Sequence, residues 1–310
     1  GYAASIAGYL TQKPGVCLTV SAPGFLNGLT ALAHATTNCF PMILISGSSE
    51  REVVDLQQGD YEEMDQLAVA KTVCKAAYRV RSAGEAFGVL VRAAADALSA
   101  PRGPVSVEIP IDLQRTAIPR PAGLDALVLP ITAPLPPNPA ELDEAVAILS
   151  KAKRPMIWLG NGAKQAGAEA ARLMALGFGV VTSWNGRGII PEDHPMSLGA
   201  LHGNGSPRVQ EFYGSVDAML VVGSRLRGHE TMDFNMKLPE TLIRVDGDAA
   251  ANGRGYASSL FVHGDAALTM AAQILGCGLA YAWARAIGRP WAEARLAGRF
   301  GHRLRPMRDV

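Results

Sequence analysis

The chain has 310 residues, of which 48% are hydrophobic, and a formal net charge of +1 at pH 7. This length suggests two domains, each with enough apolar residues for a substantial core. The almost neutral charge gives no electrostatic reason to expect binding to nucleic acid or to an anionic membrane.

Strand and helix patterns alternate along the first half of the chain. A helical stretch after the first strand runs to about Asn38, a loop follows the second strand, and an amphipathic helix is predicted over residues 84–98. Strands separated by helices predict βαβ units and a parallel sheet. The four predicted strands lie at residues 15–20, 41–45, 76–80 and 104–109.

The same alternation restarts after a proline-rich stretch. Seven prolines between Pro119 and Pro139 indicate an interdomain linker over residues 119–138. Apolar runs then predict strands at residues 155–159, 177–182, 217–222 and 241–245, and helices at 141–151, 163–176 and 266–275. The sequence therefore predicts an α/β fold with two doubly wound parallel-sheet domains, at residues 1–118 and 139–275.

The composition changes at residue 276. From there on the chain has seven arginines, no lysine and two acidic residues, Glu293 and Asp309. Three interpretations of this Arg-rich tail (276–310) stay open: a solvated helix, a basic segment that binds a partner, and an altered reading of the natural C-terminus.

Cysteine and histidine spacing does not predict a zinc site. The four cysteines form no CxxC pair, and the six histidines are scattered. Buried neutral thiols in a reducing cytoplasm are the expected state of these cysteines. No signal peptide and no apolar run of about 20 residues is found, so we expect no membrane association. The chain opens on Gly1 inside a predicted helix, and we expect that the natural N-terminus lies upstream.

Two local patterns in the first half suggest chemistry. Pro23-Gly24 after a strand permits a close approach of the backbone to a flat ligand, although an ordinary strand-to-helix turn explains it equally well. The acidic loop around Tyr61 contains Asp60, Glu62 and Glu63. Such loops are usually solvated, but a tyrosine flanked by carboxylates can also orient water or move protons.

An ordered set of short sequences carries a family resemblance: GYAASIAGYL at 1–10, SAPGFLNG at 21–28, HATTNCFP at 34–41 and DLQQGDYEEMDQ at 55–66. Together they resemble the pyrimidine-binding domain of thiamine-diphosphate-dependent enzymes, and the last of them resembles the oxalyl-CoA decarboxylase type. The resemblance implies that Tyr61 and Glu62 line the pocket over the reactive thiazolium, and that Pro23, Gly24 and Asn27 contact the cofactor. Acetolactate-synthase-like carboligases carry Phe-Gln-Glu at the point of Tyr61-Glu62, so Glu62 favours the acyl-CoA branch.

Two motifs of this family are not found in the sequence. The glutamate that protonates the aminopyrimidine would lie four residues before Gly1, and the Gly-Asp-Gly…Asn motif that holds diphosphate and Mg²⁺ does not occur. We therefore expect that the complete enzyme uses thiamine diphosphate and Mg²⁺, whereas this chain alone neither binds that cofactor tightly nor turns over. No metal ligands are predicted within the chain.

The second half resembles the central domain of the same family, through LGNGA at 159–163, GRGIIPEDHP at 186–195 and VGSRL at 222–226. In relatives this Rossmann-like domain holds ADP or FAD, and a glycine-rich turn at a helix N-terminus suits a phosphate. The resemblance implies nucleotide contacts from Gly160, Asn161, Gly162, Arg225 and Asp246. Asn161 stands where oxalyl-CoA decarboxylase has lysine. Beyond Ser197, the sequence resembles acetolactate-synthase-like enzymes more than oxalyl-CoA decarboxylase.

The sequence thus predicts part of a thiamine-diphosphate-dependent decarboxylase or lyase, cleaving a C–C bond next to an acyl carbonyl. Oxalyl-CoA or another 2-oxo- or 2-hydroxyacyl-CoA is the expected substrate, and the family implies a homodimer or tetramer. Two alternatives remain: a carboligase acting on 2-oxo acids, and a non-catalytic nucleotide-binding fragment.

Overall fold

The computed structural model describes residues 1–54, 56, 64–200 and 207–283. The chain forms two compact units, Gly1–Ala133 and Pro134 onward. The division therefore falls inside the predicted proline-rich linker.

The first unit is built on a parallel sheet of four strands in the order β1-β2-β4-β3. Its strands are β1 (Gly15–Thr19), β2 (Met42–Ser48), β3 (Ala76–Arg79) and β4 (Pro104–Pro110). Its helices are α1 (Tyr2–Thr11), α2 (Pro23–Asn38), α3 (Gln66–Val73), α4 (Ala86–Leu98) and α5 (Ile111–Gln114).

Local sequence explains where these helices begin. Pro23 occupies the first turn of α2, where its missing N–H costs no hydrogen bond. Asp65 caps α3 by accepting a hydrogen bond from Ala68 N at 2.9 Å. α3 lies where the sequence predicted only a loop, so that prediction was wrong. The cap signal at Asp65 comes at the end of an acidic run, which hid the start of the helix.

The second unit contains a parallel sheet of six strands in the order β10-β9-β8-β5-β6-β7. Its strands are β5 (Pro155–Leu159), β6 (Gly179–Thr182), β7 (Ser197–Ala200), β8 (Ala218–Val222), β9 (Leu242–Asp246) and β10 (Leu260–His263). Its helices are α6 (Pro139–Leu149), α7 (Gly167–Ala175), α8 (Pro207–Tyr213) and α9 (Ala266–Trp283).

Both sheets confirm the predicted α/β class, and the second has the strand order of dinucleotide-binding folds. The central strands are buried on both faces, which explains their continuous apolar sequences. The sequence missed the outer strands β7 and β10. α9 continues past residue 275, where the sequence placed a domain end.

Candidate functional site

The carboxyl ends of β1 and β2 carry the first candidate site. β1 ends at Thr19, and α2 starts four residues later at Pro23. A Cβ on Gly24 would lie 2.6 Å from Val20 Cγ2 and 3.4 Å from Thr19 Cβ. Glycine at this position therefore lets α2 start close against the end of its own strand.

The residue before Pro23 has a strained backbone. Ala22 is buried and has φ 32° and ψ −86°, a combination that side-chain-bearing residues rarely adopt. Its N–H donates to Gln66 Oε1 at 2.8 Å, and Gln66 Nε2 donates to Gly47 O at 2.8 Å. Gln66 thus joins the turn after β1 to the end of β2. Gln66 ends the sequence motif at residues 55–66, but the motif predicted no role for it.

A row of polar side chains crosses the first sheet at the level of Thr19, the last residue of β1. Thr19, Ser46, Glu108 and Arg79 are neighbours in register on β1, β2, β4 and β3. Arg79 and the buried Glu108 form a two-point ion pair at 2.8 and 3.2 Å. The buried hydroxyls of Thr19 and Ser46 have no hydrogen-bond partner among the described residues. Buried polar atoms usually find a partner, so these hydroxyls suit a bound polar group or water.

The other residues predicted for this site are less informative. Asn27 is exposed on the first turns of α2, and Pro23 is half-buried. Tyr61 and Glu62, the two predicted catalytic residues, lie outside the described residues.

The second candidate site lies where the strand order of the second sheet reverses. β5 and β8 are neighbours, and the chain leaves them in opposite directions across the sheet. In open parallel sheets, ligands bind in the crevice at the carboxyl ends of such a strand pair. The predicted nucleotide residues Gly160, Asn161 and Gly162 follow β5, and Arg225 follows β8.

The glycines here bring two backbones into contact. Gly160 N donates to Val222 O at 2.8 Å, and Gly162 N donates to Gly223 O at 3.0 Å. A Cβ on Gly160 would lie 2.2 Å from Gly223 O, and a Cβ on Gly162 2.8 Å from Gly223 Cα. Packing between the two loops therefore explains both glycines without a ligand. Asn161, between them, is half-buried.

Arg225 lies three residues after the end of β8, Asp246 is the last residue of the adjacent strand β9, and the two interact electrostatically. Burial raises the pKa of the Asp246 carboxyl above its ordinary value, while the charges of Arg225 and Arg244 oppose that shift. Asp246 Oδ1 also accepts the N–H of Asp248 at 2.9 Å. The two predicted residues thus place a cation and a carboxylate at the same edge of the sheet.

Arg244 is a residue that the sequence analysis missed. Its side chain is buried, and its guanidinium donates to three backbone carbonyls, of Arg254 at 2.8 Å, Tyr256 at 3.4 Å and Ser224 at 3.4 Å. Ser224 directly precedes Arg225, so Arg244 braces the loop that carries the predicted cation. The feature of the sequence that could have identified Arg244 is its position as an arginine inside the apolar strand TLIRVD.

Asp246→Asn is expected to stabilise the second unit at neutral pH. Because the folded-state pKa is raised, the folded chain holds this proton to a higher pH than the unfolded chain does. The wild-type free energy of unfolding therefore falls as pH rises from the unfolded pKa of about 3.9 through the folded pKa. Asparagine carries no such proton, and its Oδ1 can still accept the Asp248 N–H.

Urea unfolding between pH 4 and 8 measures this difference. The gap between variant and wild type should widen as the pH rises, and Asp193→Asn, at an exposed position, is the control for the substitution itself. A gap that does not change with pH would contradict the raised pKa.

Within the described part of the chain, no group of three or more histidines, cysteines and acids is placed to hold a metal ion. Cys17, Cys39 and Cys74 are not joined to one another by disulfides, and burial raises the pKa of the Cys74 thiol to about 12. Over the same residues, no helix has the length and apolar character needed to cross a membrane.

Comparison with known proteins identifies relatives of both units. The thiamine pyrophosphate enzyme N-terminal TPP binding domain matches residues 1–69, and the thiamine pyrophosphate enzyme central domain matches residues 142–273. Oxalyl-CoA decarboxylase of Escherichia coli is 42% identical over 237 residues, covering 73% of this chain and 40% of the relative. A 2-hydroxyacyl-CoA lyase of Arabidopsis thaliana is 34% identical over 235 residues, covering 73% and 39%.

A third relative is IlvB2 of Mycobacterium tuberculosis, whose name provisionally assigns it as an acetolactate synthase large subunit. It is 31% identical over 298 residues, covering 90% of this chain and 53% of the relative. The chain thus spans 39–53% of the length of these relatives. With one family domain matched in each unit, the chain belongs to the thiamine pyrophosphate enzyme family.

Proposed function

We propose that this chain contributes the pyrimidine-binding and central domains of a thiamine-diphosphate-dependent decarboxylase or lyase of the oxalyl-CoA decarboxylase type. The observation that carries the proposal is the 42% identity to oxalyl-CoA decarboxylase over 237 residues. The acidic residue Glu62, in place of the glutamine of acetolactate-synthase-like enzymes, supports an acyl-CoA substrate.

The residues at the carboxyl ends of β1 and β2 fit the aminopyrimidine of the cofactor. The unpartnered hydroxyls of Thr19 and Ser46 supply polar groups beneath the turn, and Pro23, Gly24 and Asn27 lie at the start of α2. When bound, thiamine diphosphate supplies an electron sink for cleavage of the bond next to the acyl carbonyl. Tyr61 and Glu62 would orient the acyl group and move protons near it, and Mg²⁺ would hold the diphosphate in the complete enzyme.

The central domain is proposed to bind ADP or FAD in the crevice between β5 and β8. Arg225 supplies a cation for a phosphate group, and Asp246 supplies a carboxylate for ribose hydroxyls. Gly160, Asn161 and Gly162 form the loop beside them.

Turnover by the full-length gene product tests the proposed activity. With thiamine diphosphate and Mg²⁺ added, we expect release of CO₂ from oxalyl-CoA, and no release when the cofactor is omitted. Turnover of pyruvate but not of oxalyl-CoA would overturn the acyl-CoA assignment.

Pyruvate turnover is the result expected of the first alternative, a carboligase acting on 2-oxo acids. The 298-residue match to IlvB2 favours that alternative, because it extends further along the chain than the match to oxalyl-CoA decarboxylase.

Calorimetric titration of the chain with ADP and FAD tests the nucleotide site. Arg225→Ala is expected to weaken binding of the preferred nucleotide at least tenfold, since a charge-assisted hydrogen bond is worth about 1.5–3 kcal/mol. Arg172→Ala, at an exposed position on α7, is the matched control and should leave the affinity unchanged. Equal affinities of both variants would remove Arg225 from the site.

Nucleotide binding without any thiamine-diphosphate-dependent turnover would instead favour the second alternative, a non-catalytic nucleotide-binding protein.

The proposed assembly is a homodimer or tetramer. The edge strand β1 exposes the apolar side chains of Val16 and Leu18, which a second copy of the chain could cover. Sedimentation of the wild type and of Leu18→Lys tests this assembly. A monomeric wild type would contradict it.

A further inference from the structure

We infer that Gln66 is a positioning residue that sets the backbone of the Pro23–Gly24 turn. The functional consequence rests on the proposed function, in which this turn contacts the cofactor. The geometric part stands on the described residues alone.

Both the oxygen and the nitrogen of the Gln66 side-chain amide bond to backbone groups. Its oxygen accepts from Ala22 N, and its nitrogen donates to Gly47 O, both at 2.8 Å. The partners fix the orientation of the amide, because Ala22 N can only donate and Gly47 O can only accept. Since Gln66 is 2% exposed, water cannot readily replace either bond.

These bonds connect parts of the chain that are remote in sequence. Ala22 is 44 residues away from Gln66, and Gly47 is 19 residues away. The β1–β2 ladder runs up to the pair Thr19–Ser46. Gln66 extends this connection beyond the ladder, because it joins Ala22, in the turn after β1, to Gly47 near the end of β2.

The strain at Ala22 explains why the turn needs this support. Its positive φ is unfavourable for a residue with a Cβ, and such conformations persist only where the surroundings impose them. In this conformation the Ala22 N–H donates to Gln66 Oε1 at 2.8 Å. Without the bond, Ala22 should relax toward an ordinary backbone conformation and move Pro23 and Gly24 with it.

Gln66 also belongs to the segment that follows the predicted catalytic pair. It lies four residues after Glu62 in the sequence. A substitution at Gln66 can therefore disturb the turn while leaving every predicted cofactor contact chemically intact, which is the signature of a positioning residue.

Hydrogen exchange at the Ala22 amide tests the inference in the chain itself. In Gln66→Leu, which removes both bonds, we expect exchange about tenfold faster than in the wild type, matching the loss of one hydrogen bond. Gln66→Glu keeps an acceptor for Ala22 N–H, so protection at Ala22 should be largely retained. Gln114→Leu is the matched control, because Gln114 Nε2 donates to Ile109 O at the same end of the sheet.

Amides of β4 report overall stability and separate a local change from unfolding. Equal Ala22 exchange in wild type and Gln66→Leu, with β4 protected in both, would overturn the inference. So would loss of Ala22 protection in Gln66→Glu as large as that in Gln66→Leu.

The functional arm uses turnover by the full-length gene product. Gln66→Leu is expected to raise the thiamine diphosphate concentration at half-maximal rate at least tenfold, and Gln114→Leu to leave it unchanged. An unchanged value in Gln66→Leu would contradict the effect on the cofactor. If the wild type shows no cofactor-dependent turnover, the proposed function fails, while Ala22 exchange still decides the role of Gln66.

Discussion

Replacing Gly160 with alanine is expected to destabilise the second unit by about 3 kcal/mol, with a fall in Tm of roughly 10 °C. The added Cβ would lie 2.2 Å from Gly223 O and 2.6 Å from Ser224 Cα. Both atoms belong to backbone that β8 holds in place, so the clash cannot be relieved by turning a flexible side chain. The loops after β5 and β8 would have to separate, which breaks the bond from Gly160 N to Val222 O.

Thermal unfolding followed by circular dichroism measures this loss. Gly179→Ala is the control, because a Cβ there meets nothing closer than Met156 Cγ at 4.0 Å. Melting of both alanine variants at the wild-type temperature would contradict the close approach of the loops after β5 and β8.

Replacing Arg79 with methionine is expected to cost about 3–5 kcal/mol, because it leaves the Glu108 carboxylate buried without its partner. The pair is enclosed in the polar row of the first sheet, with side-chain exposures of 13% and 3%. Changing both residues, to Arg79→Met with Glu108→Leu, should recover most of the loss, since no uncompensated charge then remains.

A surface pair of similar geometry provides the comparison. Arg187 and Glu192 also make two hydrogen bonds, at 2.7 and 2.9 Å, but they are exposed. Solvent screens such a pair, so Arg187→Met should cause no measurable loss of stability. Urea unfolding of the wild type and these three variants measures the losses, and equal losses from Arg79→Met and Arg187→Met would contradict the role of burial.

Much of the fold was predictable because parallel strands buried on both faces have continuous apolar sequences. β5 was placed with its observed bounds, and β4 was placed within one residue. β7 was missed because its sequence, Ser-Leu-Gly-Ala, has no β-branched residue and contains a glycine. It forms a strand because β6 offers a free edge, and a single-sequence pattern does not record such an edge.

The candidate sites were predictable only in part. Pro23-Gly24 and Gly160-Asn161-Gly162 stood out because proline and glycine mark turns whatever their surroundings. Gln66 and Arg244 did not stand out, because their importance comes from partners that the pattern of neighbouring residues does not reveal. For Tyr61 and Glu62, which lie outside the described residues, the predicted roles stay predictions.

The sequence by itself determined the alternation of strands and helices, the parallel sheets and the family, since these depend on residue type and on spacing along the chain. Tertiary structure decided the contacts between remote residues: Gln66 with Ala22, Arg79 with Glu108, and Gly160 with Gly223. Each of them joins the end of one element to another part of the chain, where only the packing of the sheet brings the two together. That packing shows that Gly160 is required for the close approach of two loops. It also gives Gln66, for which the sequence predicted no role, a position from which it supports the Pro23–Gly24 turn.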